Sequence, residues 1–351
     1  MVVDSAALTV PSDGSSGAGW SIRLDGVGRV RGGERVVDGV DLHLSAGTIL
    51  AIVGESGCGA TTLANIIAGR ERPDDGEVRI DGRARPDAPR LAAVFTDAAP
   101  RFGRVRDVVL PRAGGNPRVG AEIDRLLALV ELPDPDAPVR RLSRGDRQRL
   151  AIARVLATEP RALVLDDALS ALHTSARERL RDALVRELRR RRTTTVWVTR
   201  DTAEAIAVAD RVIVLHRGRV AADGTPEQVY ARADEPAVAA VLGPVDTVPG
   251  IVEGSVVDVW GQHLPLAASA HDGHCEVLIR PENVVFVAPD APGVDGVVEE
   301  STFLGHIRRS RVRTSDGSLV HVEHGAQARL DDHAHVRIAL APVPVTTRPL
   351  S

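Results

Sequence analysis

The chain has 351 residues, more than one typical domain, with the 43% apolar and 26% charged composition of an ordinary globular protein. Its formal net charge of −4 gives no electrostatic pull toward nucleic acid, and no run approaches the ~20 apolar residues of a membrane-spanning helix. The two cysteines, Cys58 and Cys275, fit no metal-ligand spacing, so the expectation is two domains in a reduced, intracellular compartment.

Residues 1–19 are rich in Ser, Gly and Ala, with neither a positive leader nor a continuous apolar core, and are expected to form a flexible tail. From Ser21 to Leu44 the polar and apolar residues alternate, which predicts antiparallel strands leading into the buried strand Thr48–Val53. Next comes Gly54-Glu55-Ser56-Gly57-Cys58-Gly59-Ala60-Thr61-Thr62, followed by the amphipathic stretch Leu63–Gly69. A strand, a glycine loop and a helix in this order point backbone N–H groups and a helix N-terminus at a phosphate.

The loop fits the pattern G-x-x-x-x-G-K-[ST] except at the lysine, where Ala60 stands. Gly54 and Gly59 bracket the phosphates, and Thr61 fills the hydroxyl position that ligates magnesium. All 44 basic residues are arginine, which makes compositional drift a candidate contribution to Ala60. A charge pair at about 4 Å and an effective dielectric of about 20 is worth roughly 4 kcal/mol, about a thousandfold in affinity.

Asp74–Gly82 reads as turn, strand, turn, and Leu91–Phe95 as a second buried strand ending at Thr96. A Gly/Pro-rich surface segment is expected from Pro111 to Val119, then a helix over Ala121–Leu132. Leu142-Ser143-Arg144-Gly145-Asp146 precedes a helix through Arg147–Ala157, another anion-friendly N-terminus. Ala162–Asp167 is a buried strand tipped with two carboxylates, an arrangement in which the first Asp helps hold magnesium. Thr193–Thr199 is a further strand, ending at Arg200. From Pro244 onward the chain is Val- and Gly-rich with short strands and no long helix, which suggests a small β-barrel.

In their order these motifs resemble the nucleotide-binding subunits of ABC transporters, from about Ser21 to Gly243, with Leu142–Asp146 as an altered LSGGQ signature. Ile67–Pro73 and Gly224–Tyr230 look like connecting segments of the importer branch. Leu278–Asn283 and Gly296–His306 resemble the TOBE domain appended to many importer ATPases. Val248-Pro249-Gly250 and Gly261–Pro265 are most similar to the branch handling iron(III), polyamines, thiamine or related solutes.

The resemblance implies an α/β fold, a P-loop NTPase cassette with antiparallel β and helical subdomains over residues 20–243, followed by a TOBE-like barrel over 244–351. It implies ATP and Mg2+ as cofactors, and a head-to-tail dimer with nucleotide between one subunit's P-loop and the other's signature. Transmembrane permease subunits would be direct partners and a solute-binding protein an indirect one, placing the chain on the cytoplasmic face of the membrane. Residue by residue, the adenine-stacking position falls on Val30 or Arg31, and the Q-loop glutamine on Thr96. The signature keeps Ser143 and Gly145; Arg144 and Asp146 replace glycine and glutamine. Asp166 takes the magnesium carboxylate, Asp167 the place of the catalytic glutamate, His173 that of the D-loop aspartate and Arg200 that of the switch histidine.

A general base must come within ~2.6–3.2 Å of its water, and the missing methylene withdraws the Asp167 carboxylate by roughly 1.5 Å. Changes at Ala60, Thr96, Asp167 and Arg200 fall on one catalytic unit, so hydrolysis is expected to be feeble or absent. Arg200 has two readings: a fork onto phosphate oxygens that replaces part of the lost charge, or a side chain swung out to solvent. A non-hydrolysing scaffold or regulator of a permease is the alternative to a transport ATPase. Cys58 is read as a small residue of the loop. Arg154, Arg189–Arg192 and the histidines His263, His271, His274, His306, His321, His324, His333 and His335 are read as solvated.

Overall fold

The computed structural model describes residues 19–84, 87–95, 102–109, 117–132, 134–231 and 236–349. The chain forms two compact units that divide between Pro226 and Glu227.

In the first unit, β1 (Ile22–Arg31) and β2 (Glu34–Leu44) pair antiparallel, as their alternation predicts, and lead into β3 (Ile49–Val53). All five residues of β3 are buried, the pattern of a strand covered on both faces. Helix α1 (Ala60–Ala68) follows and stops at Gly69 in a left-handed cap, φ 76°. Next come β4 (Asp75–Ile80), β5 (Arg83–Ala84), β6 (Ala92–Phe95), and helices α2 (Val105–Val109), α3 (Pro117–Leu129) and α4 (Arg144–Leu156). The unit closes with β7 (Ala162–Asp166), α5 (Thr174–Arg191), β8 (Thr194–Val198), α6 (Thr202–Val208), β9 (Arg211–His216) and β10 (Arg219–Gly224).

These strands make a four-stranded antiparallel sheet, β2-β1-β4-β5, and a six-stranded sheet, β10-β9-β3-β8-β7-β6. Within the latter the β3/β8, β3/β9, β6/β7 and β7/β8 pairs are parallel. Leu63, Ile66 and Ile67 of α1 share one core with Ile22 and Leu24 of the antiparallel sheet and with Ile52, Val164 and Val196 of the parallel one. The P-loop therefore leaves a strand in the middle of one sheet and enters a helix packed against both.

Sequence and structure differ at several helix details. Helix α3 begins at Pro117, inside the segment expected to be irregular surface; proline is favoured at a first helical position because its absent N–H has no intrahelical partner there. It ends at Leu129 rather than Leu132, because Arg149 of α4, nearly buried, donates to the carbonyls of Val130 and Glu131 and to the Glu131 carboxylate. Glu131 accordingly takes a left-handed φ of 56°. Helix α4 begins three residues before Arg147, because the Ser143 hydroxyl caps it, accepting from Asp146 N at 3.1 Å and donating to the Asp146 carboxylate at 2.7 Å.

Arg191 is a correction: it is not solvated. Its side chain is 11% exposed, pairs with Glu187 at 2.5 Å and Glu122 at 2.9 Å, and donates to the carbonyl of Leu156. Burial works to raise the Glu187 carboxyl, but hydrogen bonds from Arg190, Arg125 and Arg191 hold it well below the usual carboxylate range.

In the second unit, α7 (Pro226–Ala231, whose first residue closes the first unit) and α8 (Pro236–Leu242) precede two antiparallel sheets. Strands β11 (Asp246–Glu253), β12 (Val256–Val259), β13 (Gln262–Pro265) and β14 (Gly273–Ile279) start one; β15 (Val284–Val287), β16 (Val294–Phe303), β17 (Ile307–Thr314), β18 (Leu319–Gly325) and β19 (His335–Leu340) form the other. The last strand, β20 (Thr346–Pro349), returns to the first sheet, giving orders β13-β12-β11-β14-β20 and β15-β19-β16-β17-β18. A single valine-rich core, including Val248, Val277, Val298, Val312 and Ile338, is shared by both sheets. Two of the histidines expected to be solvated are engaged here: His321 Nδ1 lies 2.9 Å from Asp246, and His324 Nε2 lies 2.8 Å from the Ser310 hydroxyl.

Candidate functional site

The residues from Gly54 to Thr62 line one side of a cavity of about 200 Å3 in the first unit. Glycine is demanded at both ends of the loop. A Cβ on Gly59 would lie 2.0 Å from the carbonyl oxygen of Val36, and Gly59 holds a φ of 101°. A Cβ on Gly54 would lie 2.4 Å from the carbonyl of Leu215 and 2.6 Å from Cys58 Sγ. The loop is pinned from outside as well, since Gly218 N donates to the Cys58 carbonyl at 2.9 Å. Cys58 is buried, and burial pushes its thiol upward, so a packing role suits it.

At the end of the loop, Thr61 Oγ1 donates to Asp166 Oδ1 at 3.4 Å, the two sequence-predicted metal ligands brought side by side. Asp166 is 4% exposed, and burial first, with the charge of Asp167 adding to it, pushes its carboxyl up to about 6. A hydroxyl and a buried carboxylate beside backbone amides form a hard-oxygen donor set suited to Mg2+. The loop, closed to a Cβ at Gly54 and Gly59, suits phosphate. Both groups therefore fit the residues present.

Asp167 follows β7 with a left-handed φ of 48°. Its backbone is fixed by its own N–H to the carbonyl of Val198 at 3.0 Å and by its carbonyl, which accepts from Gln148 Nε2 at 2.9 Å. Gln148 is buried in α4, and its other amide atom, Oε1, accepts from Ala171 N at 2.9 Å. One side chain thus spans the whole turn after the acidic strand. Sequence reasoning gave Gln148 no role, although the signal was there: it shares a helix face with Ile152 and Leu156, where an unpaired amide is costly.

Arg200 also lines the cavity. Its Nε is 3.7 Å from Asp167 Oδ2, and 70% of its side chain is exposed, so it faces the carboxylate from the solvent side. The loop carrying it is anchored beneath: Thr199 Oγ1 donates to the buried Glu204 at 2.5 Å, and Asp201 caps α6 by accepting from Glu204 N at 3.0 Å. Arg177 of α5 reaches both the Leu172 carbonyl, at 3.1 Å, and the Asp201 carboxylate, at 3.5 Å, a second tie the sequence did not reveal.

Arg31 lines the cavity, with its guanidinium held by Glu71 at 2.5 Å; Glu71 is shared with Arg29 at 2.8 Å. The structure thus gathers Arg31, the whole loop from Gly54 to Thr62, Asp166, Asp167 and Arg200 around one space. Ser143 and Gly145 do not line it; they sit at the N-terminus of α4, and the Ser143 hydroxyl is engaged by Asp146. Thr96 lies outside the described residues.

Residues 37–170 match the family model described as ABC transporter, and residues 277–344 match that of the TOBE domain. The Fe(3+) ions import ATP-binding protein FbpC 1 of Rhodococcus jostii (strain RHA1) is 35% identical over 316 residues, 86% of this chain and 90% of that protein. The sulfate/thiosulfate import ATP-binding protein CysA of Xanthomonas campestris pv. campestris is 37% identical over 309 residues, 83% and 89% of the two chains. Among solved structures, a dimeric bacterial ABC transporter cassette is 26% identical with a TM-score of 0.54, covering 58% of this chain and 98% of that one. With a phosphate cradle, a paired Thr61 and Asp166, and relatives matched through both units, the chain belongs to the ABC transporter family, as an ATP-binding cassette followed by a TOBE domain.

Proposed function

We propose that this protein is the ATP-binding subunit of an importer, docked on transmembrane permease subunits at the cytoplasmic face of the membrane and paired there with a second nucleotide-binding subunit. The observation that carries the reading is likeness over 86% of the chain to an import ATP-binding protein, through cassette and TOBE domain together. Among the described residues no helix is long and apolar enough to cross a membrane, which suits a subunit that depends on embedded partners.

In this reading the loop amides take the phosphate oxygens of ATP, while Thr61 and Asp166 hold Mg2+. The ion, when bound, supplies positive charge to the phosphates. Arg31 edges the base, as a guanidinium can stack on an aromatic face. Closure of the pair around nucleotide needs only a difference in affinity between open and closed states.

Hydrolysis is the weak point. Asp167 is shorter than glutamate, and Arg200 gives its carboxylate a permanently charged neighbour at 3.7 Å that competes with water for it. The cradle has Ala60 where the family has its cation. Weakened ATP binding with slow turnover follows, and the Asp167–Arg200 pair favours, as a second reading, a subunit that regulates a permease without cleaving ATP.

Titrating the purified chain with ATP, with and without Mg2+, and then measuring phosphate release tests both readings. Magnesium-dependent binding with slow release supports the first. Binding with no release selects the second, and absence of binding ends both as nucleotide-driven subunits and leaves only a scaffold. Brisk release abolished in Asp167→Asn would show that Asp167 reaches its water unaided. Arg200→Ala separates the two readings of Arg200: weaker ATP affinity means that the guanidinium reaches phosphate, and unchanged affinity means that it serves only Asp167.

A further inference from the structure

The second unit contains a larger cavity, about 410 Å3, in the range that holds small organic ligands. It lies where α7 and the end of α8 meet β17, β18 and the turn after β14. Its ionisable lining is two guanidiniums and two carboxylates: Arg280, Arg309, Glu282 and Glu323, with Tyr230 beside them. The formal charges cancel.

Two of these residues form its frame. Arg280 is 6% exposed, donates to the Tyr230 carbonyl at 2.8 Å and lies 3.8 Å over the Tyr230 ring. The Tyr230 hydroxyl donates to Glu282 Oε1, and burial, then that bond, pushes the phenol up to about 12, so it remains a donor. The other pair is only partly committed. Arg309 uses Nε and Nη2 on a single oxygen, Oε1 of Glu323, at 3.1 and 2.6 Å. That leaves Nη1 of Arg309 and Oε2 of both Glu282 and Glu323 outside these bonds.

We propose that this cavity binds a small zwitterion carrying one carboxylate and one ammonium group, an α-amino acid or a compound of that size. A carboxylate placed on Arg309 Nη1 gains a charge-assisted hydrogen bond, and an ammonium has two carboxylate oxygens to donate to. A simple anion would meet two carboxylates and a simple cation two guanidiniums, so each forfeits half the complementarity. The site lies wholly within the second unit, goes beyond the transport reading and stands without it.

The test is calorimetric titration of the full chain at neutral pH with L-alanine, L-glutamine and L-methionine, against acetate, sulfate, ethylammonium and putrescine. At least one amino acid is expected to bind with Kd near or below about 1 mM, with each probe carrying charge of only one sign at least about tenfold weaker. Glu323→Gln and Arg309→Gln should weaken that amino acid roughly ten- to hundredfold while leaving ATP affinity unchanged. Should either variant melt early through loss of its ion pair, Glu282→Gln at an exposed position gives the same readout. Failure of all three amino acids to bind overturns the proposal. So does equal binding by an anion or a cation alone, or binding that survives Glu282→Gln and Glu323→Gln.

Discussion

The cradle from Gly54 to Thr62 and the side chains facing it, Arg31, Asp167 and Arg200, surround one space but are specified differently. The cradle is made of backbone, and the fold enforces it: neighbouring carbonyls of Val36 and Leu215 leave no room for a Cβ at Gly59 or Gly54. The facing side chains are placed by the fold but not dictated by it. A carboxylate one methylene shorter or an arginine for a histidine changes reactivity with no steric penalty on the framework. On the proposed reading, geometry at such a site can outlast chemistry, because only geometry is also a condition of folding.

The strongest attempt to break this contrast is Gly59→Ala. With 2.0 Å to the Val36 oxygen and a left-handed φ, it should cost about 4 kcal/mol or more, read as a fall in the urea midpoint or loss of folded protein. A cost below about 1 kcal/mol would mean that the cradle is not enforced by its surroundings.

Ala60→Lys sharpens the other side. It should leave the unfolding midpoint within about 0.5 kcal/mol and tighten ATP binding by up to roughly a thousandfold, about 4 kcal/mol. No gain in affinity, measured by nucleotide titration, would mean that another cation already fills the role.

Glu187 belongs to the framework of the same unit, where it ties Arg125 of α3 to Arg190 and Arg191 of α5. Its carboxyl is held below its ordinary value, so the native state favours the ionised form and the unfolded state binds the proton more readily. The contribution is therefore fully present above about pH 4.5 and fades as pH falls through the lower native value. Glu187→Gln should cost about 3 kcal/mol at neutral pH, because three arginines lose their buried partner, and progressively less in acid. A cost independent of pH would assign the effect to packing.

The smallest effect is expected at Gln148. Replacing it with Leu leaves Ala171 N and the Asp167 carbonyl without that partner, at about 2 kcal/mol, and should slow any residual phosphate release more than it alters ATP affinity. Equal loss of both would put Gln148 in the cradle's support rather than that of the acidic turn.

The same division explains what could be read from sequence. The loop, the strand ending in Asp166 and the buried runs at Ile49–Val53 and Thr194–Val198 were legible because each rests on local pattern: glycine spacing, or runs of apolar and β-branched residues. The alternation at Ser21–Leu44 was equally plain. The end of α3, the burial of Arg191 and the tie made by Gln148 were not, since each depends on a partner far along the chain: Arg149 on Glu131, Arg191 on Glu122, Gln148 on Ala171. Propensity and periodicity carry no information about such pairings. In the second unit, short alternating strands announced the β class, while the cavity at Tyr230 and Arg309 was invisible, because its walls come from segments far apart in sequence.

The grip of Gln148 on both ends of the Asp167–Ala171 bend has a bearing on redesign. An engineer restoring glutamate at position 167 would inherit a backbone already clamped in orientation, so the added methylene alone would set how far the acid extends. If turnover is slow as proposed, the length of the acid at this position is then an independent variable, separable from the direction in which the backbone aims it.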